Sequence, residues 1–445
     1  MDDFLISANR ILEKNWNGNY TIPAKSLYPH QWSWDSCFTA IGNSYVNTDR
    51  AIKELQYLIN AQWKNGMIPN IVFDEKEKSY FPSTDFYEIK RSENAPENIS
   101  TSGITQPPMH SIACYYIYKN SKDKPKALRF LEKNYQNLKK FQNYLVTYRD
   151  PENSGLITIL HPWESGMDNS PIWDEPLSNI VIKDLPEFRN TDKKIVERSK
   201  ASRTDEEDYK KLLFLLELMK QNNYDEKKIY SKFPFKIKDV LFSSIFHVAN
   251  KYLVEIANII GEDTKEIERR IAQTEKNFYK YFLSDEKEFN SSEDNLFFDY
   301  DLIQKDWIKK KTVASFIPIY TGLMSKEDVQ NFVKWIKHSH FCTNNGFCHV
   351  PAVPGADTKE PYFNKSNYWR GPVWINTNWM LWIGLLNYGF KDEAEVIKSA
   401  VFELVKNHGF REYFNPTTGE GLGGNDFSWT AALVIDMIKR NGNEI

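Results

Sequence analysis

The sequence predicts an all-α fold, a helical domain with long loops and few strands. Apolar residues recur at spacings of three, four and seven positions in many stretches, which is the pattern of one helix face. These stretches come in pairs separated by short polar breaks, and no strong alternation of strands with helices disturbs them, which disfavours a doubly wound α/β fold. No linker rich in Pro, Gly or Ser divides the 445 residues. We therefore predict one domain over residues 1–445.

The predicted helices follow from this periodicity. The first covers 123–148, where Leu131, Leu138 and Leu145 recur at seven-residue spacing. Ser325 is a plausible N-cap for the helix predicted over 325–337. The other predicted helices cover 205–221, 238–260, 264–283, 376–389, 391–408 and 427–440.

Two stretches lack this helical pattern. Residues 341–350 contain Asn345-Gly346, a strong turn signal for a hairpin. Residues 150–204 lack sustained periodicity and hold many charges and prolines, and loops of that length are uncommon unless they carry function. We predict an inserted lid or cap segment at 172–215 and a second lid at the glycine-rich turn 419–424.

Composition excludes several classes of protein. Lys and Arg total 57 against 60 Asp and Glu, giving a net charge of −3, so no basic excess indicates nucleic-acid binding. No apolar run approaches the ~20 residues of a membrane span, and the first residues lack the apolar core of a signal peptide. Four scattered Cys residues fit a reducing compartment. We expect a cytoplasmic protein with no nucleic-acid or membrane partner.

Aromatic residues make up 15% of the chain, including 13 Trp, and many fall between the predicted helices. Four clusters, at 28–36, 161–171, 367–374 and 411–429, combine aromatics with acids, amides, Pro and Gly. Sugars need this mixture, because their apolar faces stack on aromatic rings while their hydroxyls need polar partners; ligand pockets in general combine apolar lining with a few placed polar groups. The alternative is that these Trp residues are ordinary core with satisfied indole N–H groups.

Cutting a glycosidic bond requires two carboxyl groups, one to protonate the leaving oxygen and one to activate water or attack carbon. The clusters offer six candidates. They are Asp35, Glu164, Asp168, Asp174, Glu412 and Glu420. Asp168 lies in a tight loop flanked by aromatics, where desolvation could raise the pKa of an acid, but composition does not rank the six.

Short motifs in these clusters resemble glycoside hydrolase family 63, whose catalytic domain is an (α/α)6 barrel. The resemblance extends over roughly residues 28–430 in family order. The matching segments are Trp-Ser-Trp-Asp-Ser-Cys-Phe at 32–38, Asn-Gly-Met-Ile-Pro-Asn at 65–70, Gln-Pro-Pro at 106–108, Glu-Ser-Gly-Met-Asp-Asn-Ser-Pro at 164–171, Tyr-Trp-Arg-Gly-Pro-Val-Trp at 368–374 and Glu-Tyr-Phe-Asn-Pro-Thr-Thr-Gly at 412–419. It implies an (α/α)6 barrel with long loop or lid insertions and a few short strands.

The resemblance also implies roles for individual residues. The family inverts the anomeric configuration, which makes Asp168 the general acid and Glu412 the general base, with carboxyl groups about 6.5–9.5 Å apart to admit water. Asp35 would bind sugar hydroxyls. The other implied substrate-binding residues are Trp34, Trp163, Trp369 and Trp374 as walls of the sugar subsite, Gln106 and Arg370 as polar or structural members of its rim, and Tyr28, Trp32, Gly166 and Tyr368 around the pocket.

The chain resembles most the compact bacterial members, which include mannosylglycerate and glucosylglycerate hydrolases. Those enzymes bind the glycerate carboxylate with an Arg and a Tyr after the acid loop, and Arg203 and Tyr209 lie in that region. Arg suits bidentate carboxylate recognition. The alternative is that Arg203 is a solvated charge beside the acidic run 205–208, and the sequence does not separate glucose from mannose.

Three function classes therefore remain. The first is an inverting α-glycoside hydrolase that releases D-glycerate and a hexose; the second acts on a neutral disaccharide or short oligosaccharide, as a trehalase does; the third is a non-catalytic sugar-binding protein. We expect a small-molecule glycoside as partner and no cofactor, and we leave homo-oligomerisation open. His338, His340, Cys342, Cys348 and His349 lack the spacing of a zinc site, so we predict no metal.

Overall fold

The computed structural model describes residues 2–25, 27–183, 205–283, 296–337, 341 and 351–440. Helices dominate these ranges. The α-helices are α1 Asp2–Lys14, α2 Ser33–Val46, α3 Thr48–Asn60, α4 Thr84–Tyr87, α5 His110–Asn120, α6 Lys124–Arg149, α7 Asp174–Ser178, α8 Glu206–Gln221, α9 Glu226–Lys232, α10 Val240–Ile260, α11 Lys265–Phe282, α12 Lys326–Lys337, α13 Ile375–Asn387, α14 Lys391–His408 and α15 Ser428–Lys439. The 3-10 helices are Ile89–Arg91, Pro162–Ser165, Pro171–Trp173, Val313–Thr321 and Tyr368–Arg370.

Six buried helical segments form a closed inner ring. In order around the ring, α2 packs against α5, α5 against α10, α10 against the 3-10 segment Val313–Thr321, that segment against α13, α13 against α15, and α15 against α2. Most residues of these segments are buried on every side, as expected for helices that face neighbours all round. The ring is the inner layer of an (α/α)6 barrel, so the predicted fold class is confirmed.

A second layer of amphipathic helices surrounds the ring. Helix α1 packs on α15, α3 on α2, α6 on α5 and α10, α11 on α10, and α14 on α13. Each buries one stripe, as α3 does with Leu55, Leu58 and Ile59, while its other face meets solvent. None of the helices in the described ranges is long and apolar enough to span a lipid bilayer.

Short antiparallel strands connect the helices at one end of the barrel. The strands are β1 Gln31–Trp32, β2 Ile71–Val72, β3 Thr158–Ile159, β4 Ile237–Lys238, β5 Asp299–Asp301, β6 Asp306–Ile308, β7 Val373–Trp374, β8 Tyr413–Phe414 and β9 Gly421–Leu422. They form sheets in the orders β1-β2, β3-β4-β5-β6 and β7-β8-β9. Since β1, β4 and β7 run directly into inner helices or end one residue before them, these sheets fix the loops at the N-terminal end of the ring.

All eight helices predicted from periodicity are present, with ends within about two residues. Ser325 caps α12, because its Oγ accepts the N–H of Asp328 at 3.1 Å. The predicted hairpin at Asn345-Gly346 lies outside the described residues. The proposed insertion at 172–215 is described only over 172–183 and 205–215, so its role as a lid stays a prediction.

Candidate active site

A cavity at the N-terminal end of the inner helices gathers most of the predicted site residues. Nine of them contribute to its lining, including both proposed catalytic carboxyl groups. The nine are Tyr28, Trp32, Trp34, Asp35, Gln106, Gly166, Asp168, Tyr368 and Glu412. Of the six candidate carboxylates, therefore, Asp35, Asp168 and Glu412 share one cavity.

The remaining three candidate carboxylates lie elsewhere. Glu164 is buried in an ion pair with Arg149, and Asp174 pairs with Arg370. Glu420 is exposed on the turn between β8 and β9. None of the three contributes to the cavity lining.

Helix starts and strand ends position the lining residues. Trp34 and Asp35 lie in the first turn of α2, directly after β1. Gln106 precedes α5, and its Oε1 accepts the N–H of Trp34 at 3.3 Å. Glu412 directly precedes β8, whose Tyr413 is paired with Trp374 of β7. Residues distant in the chain therefore meet because the ring of helices closes.

Both carboxylate oxygens of Glu412 accept hydrogen bonds. The Tyr28 hydroxyl donates to Oε1, and the Gly424 N–H donates to Oε2 at 2.8 Å. The side chain of Glu412 is buried with the residue only 1% exposed. At Gly423, where φ is +66°, a Cβ atom would lie 2.3 Å from Glu412 Oε2. Only glycine fits there without displacing the carboxylate.

The pKa of the Asp35 carboxyl group is raised by its position in the cavity. Burial raises the pKa of Asp35 well above its usual range, and the charges of Glu412 and Asp168 raise it further. A backbone hydrogen bond opposes this rise. Loss of solvation and nearby like charges both disfavour the ionised form. The effect places Asp35 within electrostatic reach of the two proposed catalytic groups.

The loop that carries Asp168 is held on both sides. Gly166 has φ +76°, and a Cβ there would lie 2.5 Å from the ring of Trp34. The Trp173 indole N–H donates to the carbonyl of Met167 at 2.7 Å. On the other side, the Asn169 Oδ1 accepts the N–H of Trp369 at 2.9 Å. Asp168 itself is half-buried at the cavity wall.

Tyr368 adopts a left-handed backbone conformation, with φ +45°. Side chains other than glycine seldom do so, and such strain concentrates at functional sites. Its hydroxyl lies 3.4 Å from that of Tyr28, and its carbonyl accepts the Trp374 indole N–H at 3.0 Å. In this conformation the Tyr368 ring lines the cavity, and its backbone carbonyl holds the Trp374 ring behind it.

The structure does not bring every predicted binding residue into the cavity lining. Trp369 and Trp374 stack on each other, with ring centroids 3.9 Å apart and planes at 2°, and lie behind the cavity wall. Trp163 and Tyr209 form a half-buried aromatic pair 6.3 Å apart. These four residues are not among those lining the cavity.

The two predicted arginines have different outcomes. Arg370 makes a bidentate pair with Asp174, at 2.7 and 2.6 Å, which fits the structural role expected at the rim. Arg203, the expected glycerate ligand, lies outside the described residues. Its role stays a prediction.

Four lining residues were not predicted as site residues. They are Pro23, Tyr80, Phe427 and Trp429. Phe427 and Trp429 belong to the fourth aromatic cluster, which pointed to them. Tyr80 lies outside the four aromatic clusters and meets Trp32 edge to face with ring centroids 5.2 Å apart, a contact that no local sequence pattern indicates. The buried indole N–H of Trp429 has no hydrogen-bond partner among the described residues.

Within the described ranges, no cluster of three or more His, Cys, Asp and Glu residues is arranged to hold a metal ion. Five residues considered for a metal site lie outside those ranges: His338, His340, Cys342, Cys348 and His349.

The cavity lining offers carboxylates, hydroxyls and aromatic faces in one enclosure. That arrangement can bind a sugar and supplies carboxyl groups that can exchange protons with it.

Comparison with known proteins agrees with this chemistry. Residues 28–430 match the family model described as the mannosylglycerate hydrolase MGH1-like glycoside hydrolase domain. A mannosylglycerate hydrolase from Rubrobacter radiotolerans is 37% identical, over 98% of this chain and 97% of that protein. A glucosylglycerate hydrolase from Mycolicibacterium hassiacum is 35% identical, over 96% of each.

Solved structures of a family 63 enzyme show a similar sequence identity to this chain. The crystal structure of a family 63 mannosylglycerate hydrolase from Thermus thermophilus, in complex with Tris and D-glycerate, superposes with a TM-score of 0.88 and 36% identity, covering 98% of this chain and 100% of that one. The neutral trehalase of Saccharomyces cerevisiae shares the fold, with a TM-score of 0.58 and 16% identity, over 94% of this chain and 73% of its own. The chain therefore belongs to the MGH1-like glycoside hydrolases of family 63.

Proposed function

We propose that this chain hydrolyses the α-glycosidic bond of 2-O-α-mannosyl- or 2-O-α-glucosyl-D-glycerate, with inversion, and releases the hexose and D-glycerate. The observation that carries the proposal is the common cavity of Asp168, Glu412 and Asp35. Two carboxyl groups and an aromatic lining are what an inverting glycosidase needs. Family membership supports the reaction class.

In the proposed mechanism, Asp168 donates its proton to the glycerate oxygen as the bond between that oxygen and the anomeric carbon breaks. Glu412 accepts a proton from the water that attacks the opposite face of the same carbon. The Tyr28 hydroxyl and the Gly424 N–H hold the Glu412 carboxylate in place. Asp35 and the aromatic rings of the lining hold the hexose.

Relatives support glycerate as the leaving group. The relatives named above act, by their names, on mannosylglycerate or glucosylglycerate, and one was crystallised with D-glycerate. In this chain Tyr209 lies beside Trp163 near the acid loop, and Arg203 precedes it by six residues. We assign the glycerate carboxylate to these two residues, in a cytoplasmic enzyme, and leave homo-oligomerisation open.

The decisive assay compares four substrates: mannosylglycerate, glucosylglycerate, trehalose and kojibiose. We expect kcat/KM to be highest for one of the two glycerate glycosides. Proton NMR of the first product formed should show the β-anomer, because an inverting enzyme delivers water to the opposite face. Preference for trehalose or kojibiose would favour the neutral-disaccharide alternative, and an initial α-product would contradict the assigned roles.

Single substitutions test the two catalytic assignments. Asp168→Ala and Glu412→Ala should each lower kcat by at least about 10²–10⁴-fold, the usual contribution of a general acid or base. Glu403→Ala, which removes an exposed carboxylate on the outer helix α14, is the matched control and should leave kcat unchanged. Full activity in either cavity variant, with its thermal unfolding preserved, would refute that assignment.

A further inference from the structure

A buried ion pair lies directly behind the loop that carries Asp168. Arg149 is the last residue of α6, and its Nη2 lies 3.0 Å from Oε1 of Glu164, with side-chain exposures of 2% and 1%. Burying two charges carries a large desolvation cost, which stabilising contacts must offset. Neither side chain contributes to the cavity lining, so the pair does not touch the substrate.

The Glu164 carboxylate connects two segments of the cavity wall. Its Oε2 accepts the N–H of Leu160 at 2.8 Å, at the start of the acid loop. Its Oε1 lies 3.4 Å from the N–H of Thr105, the neighbour of the lining residue Gln106. Glu164 is also only four positions before Asp168. The carboxylate therefore fixes where the acid loop begins relative to the segment before α5.

Arg149 anchors this carboxylate to the helical framework. Its Nη1 lies 3.0 Å from Oε2 of Glu226 at the start of α9, and its Nη2 donates to the Tyr144 hydroxyl at 3.0 Å. Burial alone would lower the pKa of Arg149, but the charges of Glu164 and Glu226 raise it above its usual value. The guanidinium is therefore a permanent cation between two carboxylates.

We propose that the Arg149–Glu164 ion pair positions the general acid, so that both are positioning residues for protonation of the leaving group. This inference rests on the proposed function, in which Asp168 is the acid. General-acid catalysis depends on geometry, and a misplacement of about 1 Å can cost about 10²-fold in rate. Gly166 at the centre of the loop is the residue type with the greatest backbone freedom, so the position of Asp168 depends on the contacts that fix the loop on either side of it, of which the Glu164 ion pair is one.

The leaving group provides a readout that a merely structural role would not move. Glycerate is a poor leaving group and needs the proton of the acid, whereas fluoride leaves without one. The test compares the natural glycoside with the α-glycosyl fluoride of the same hexose, in the full-length enzyme. For Glu164→Gln we expect kcat/KM to fall at least tenfold with the glycerate glycoside and less than about threefold with the fluoride, within the scale set by general-acid catalysis.

Two further variants serve as a second test and as a control for Glu164→Gln. Arg149→Lys keeps the charge but loses the fork that contacts Glu164 and Glu226 together, and should show the same selective loss to a smaller degree. Asp436→Asn is the matched control, because it breaks another buried Arg–carboxylate pair, with Arg440 at 2.9 Å, at the far end of α15. It should lower both rates by the same factor or leave both unchanged.

Asp168→Ala separates failure of the inference from failure of the proposed function. If Asp168→Ala lowers the rates with both substrates equally, Asp168 is not the general acid and the proposed function fails. If Asp168→Ala spares the fluoride but Glu164→Gln and Arg149→Lys lower both rates in parallel, the function stands and the positioning role is overturned. Selective loss in all three variants supports the inference.

Discussion

Glu54 gives the stability of this protein a pH dependence that can be calculated from the structure. Its carboxylate is fully buried and makes its hydrogen bonds with neutral donors: the N–H of Thr21 at 2.8 Å, the hydroxyl of Ser36 and the side-chain amide of Gln31 at 3.4 Å. No cation pairs with it among the described residues. Burial raises the pKa of Glu54 from 4.5 to about 7, although the hydrogen bonds oppose the rise.

The sign follows from linkage between protonation and folding. Between pH 4.5 and 7 the folded protein keeps a proton on Glu54 that the unfolded chain has lost, so the free energy of unfolding falls as pH rises. At about 1.4 kcal/mol per pKa unit, the full effect is about 3 kcal/mol. Most of it, about 2.5 kcal/mol, falls between pH 5 and pH 8.

Urea unfolding of the wild-type protein and of Glu54→Gln at pH 5, 6.5 and 8 measures this effect. The unfolding free energy of the wild type, minus that of the variant, should fall by about 2.5 kcal/mol from pH 5 to pH 8, because glutamine does not titrate. Ser36→Ala removes a hydrogen bond that lowers the pKa of Glu54, so it should extend the upper end of the change above pH 7. A difference independent of pH, or one that grows with pH, would refute the reasoning.

Three further predictions concern the cavity. Gly423→Ala should lower kcat at least 100-fold, because its Cβ would displace the Glu412 carboxylate, and should also lower the melting temperature, because alanine is strained at the φ of +66° found there; an unchanged kcat would contradict the role of that contact. Trp429→Phe should lower kcat/KM about 3–10-fold, the worth of one hydrogen bond, if the unpartnered indole N–H serves a sugar hydroxyl, and unchanged kinetics would exclude that bond. Arg203→Ala should weaken glycerate glycosides far more than a neutral aryl glycoside, and equal losses would move the assignment toward neutral substrates.

Periodicity missed the inner helix α2 for a physical reason. Outer-layer helices such as α6 and α14 bury one stripe, so their apolar residues recur at helical spacing. The inner helix α2 reads Ser-Trp-Asp-Ser-Cys-Phe-Thr and is buried nearly all round, including its polar residues, so it shows no such stripe. Tertiary burial, which local sequence does not encode, made it a helix.

Prediction of the site from sequence was also limited by packing that local sequence does not encode. Asp168 and Glu412 were recognisable as members of ordered motifs, but Glu164 looked like an equal candidate because its partner, Arg149, ends a helix outside the motif. Trp369 and Trp374 looked like a sugar platform, whereas they stack on each other behind Tyr368. Motifs indicate which residues gather at the barrel mouth; only the packing tells which of them face the cavity.

The position of the cavity explains how the fold tolerates three carboxyl groups together. Helices α2 and α15 begin at the cavity, with Asp35 in the first turn of α2 and Trp429 in the first turn of α15. Helix N-termini carry partial positive charge that favours nearby anions. For Asp35 this is not enough: burial and the charges of Glu412 and Asp168 raise its pKa well above the usual range. The environment therefore favours a neutral Asp35 carboxyl group, which can donate a hydrogen bond to a sugar hydroxyl as well as accept one. A neutral Asp35 also leaves one negative charge fewer beside Glu412 and Asp168.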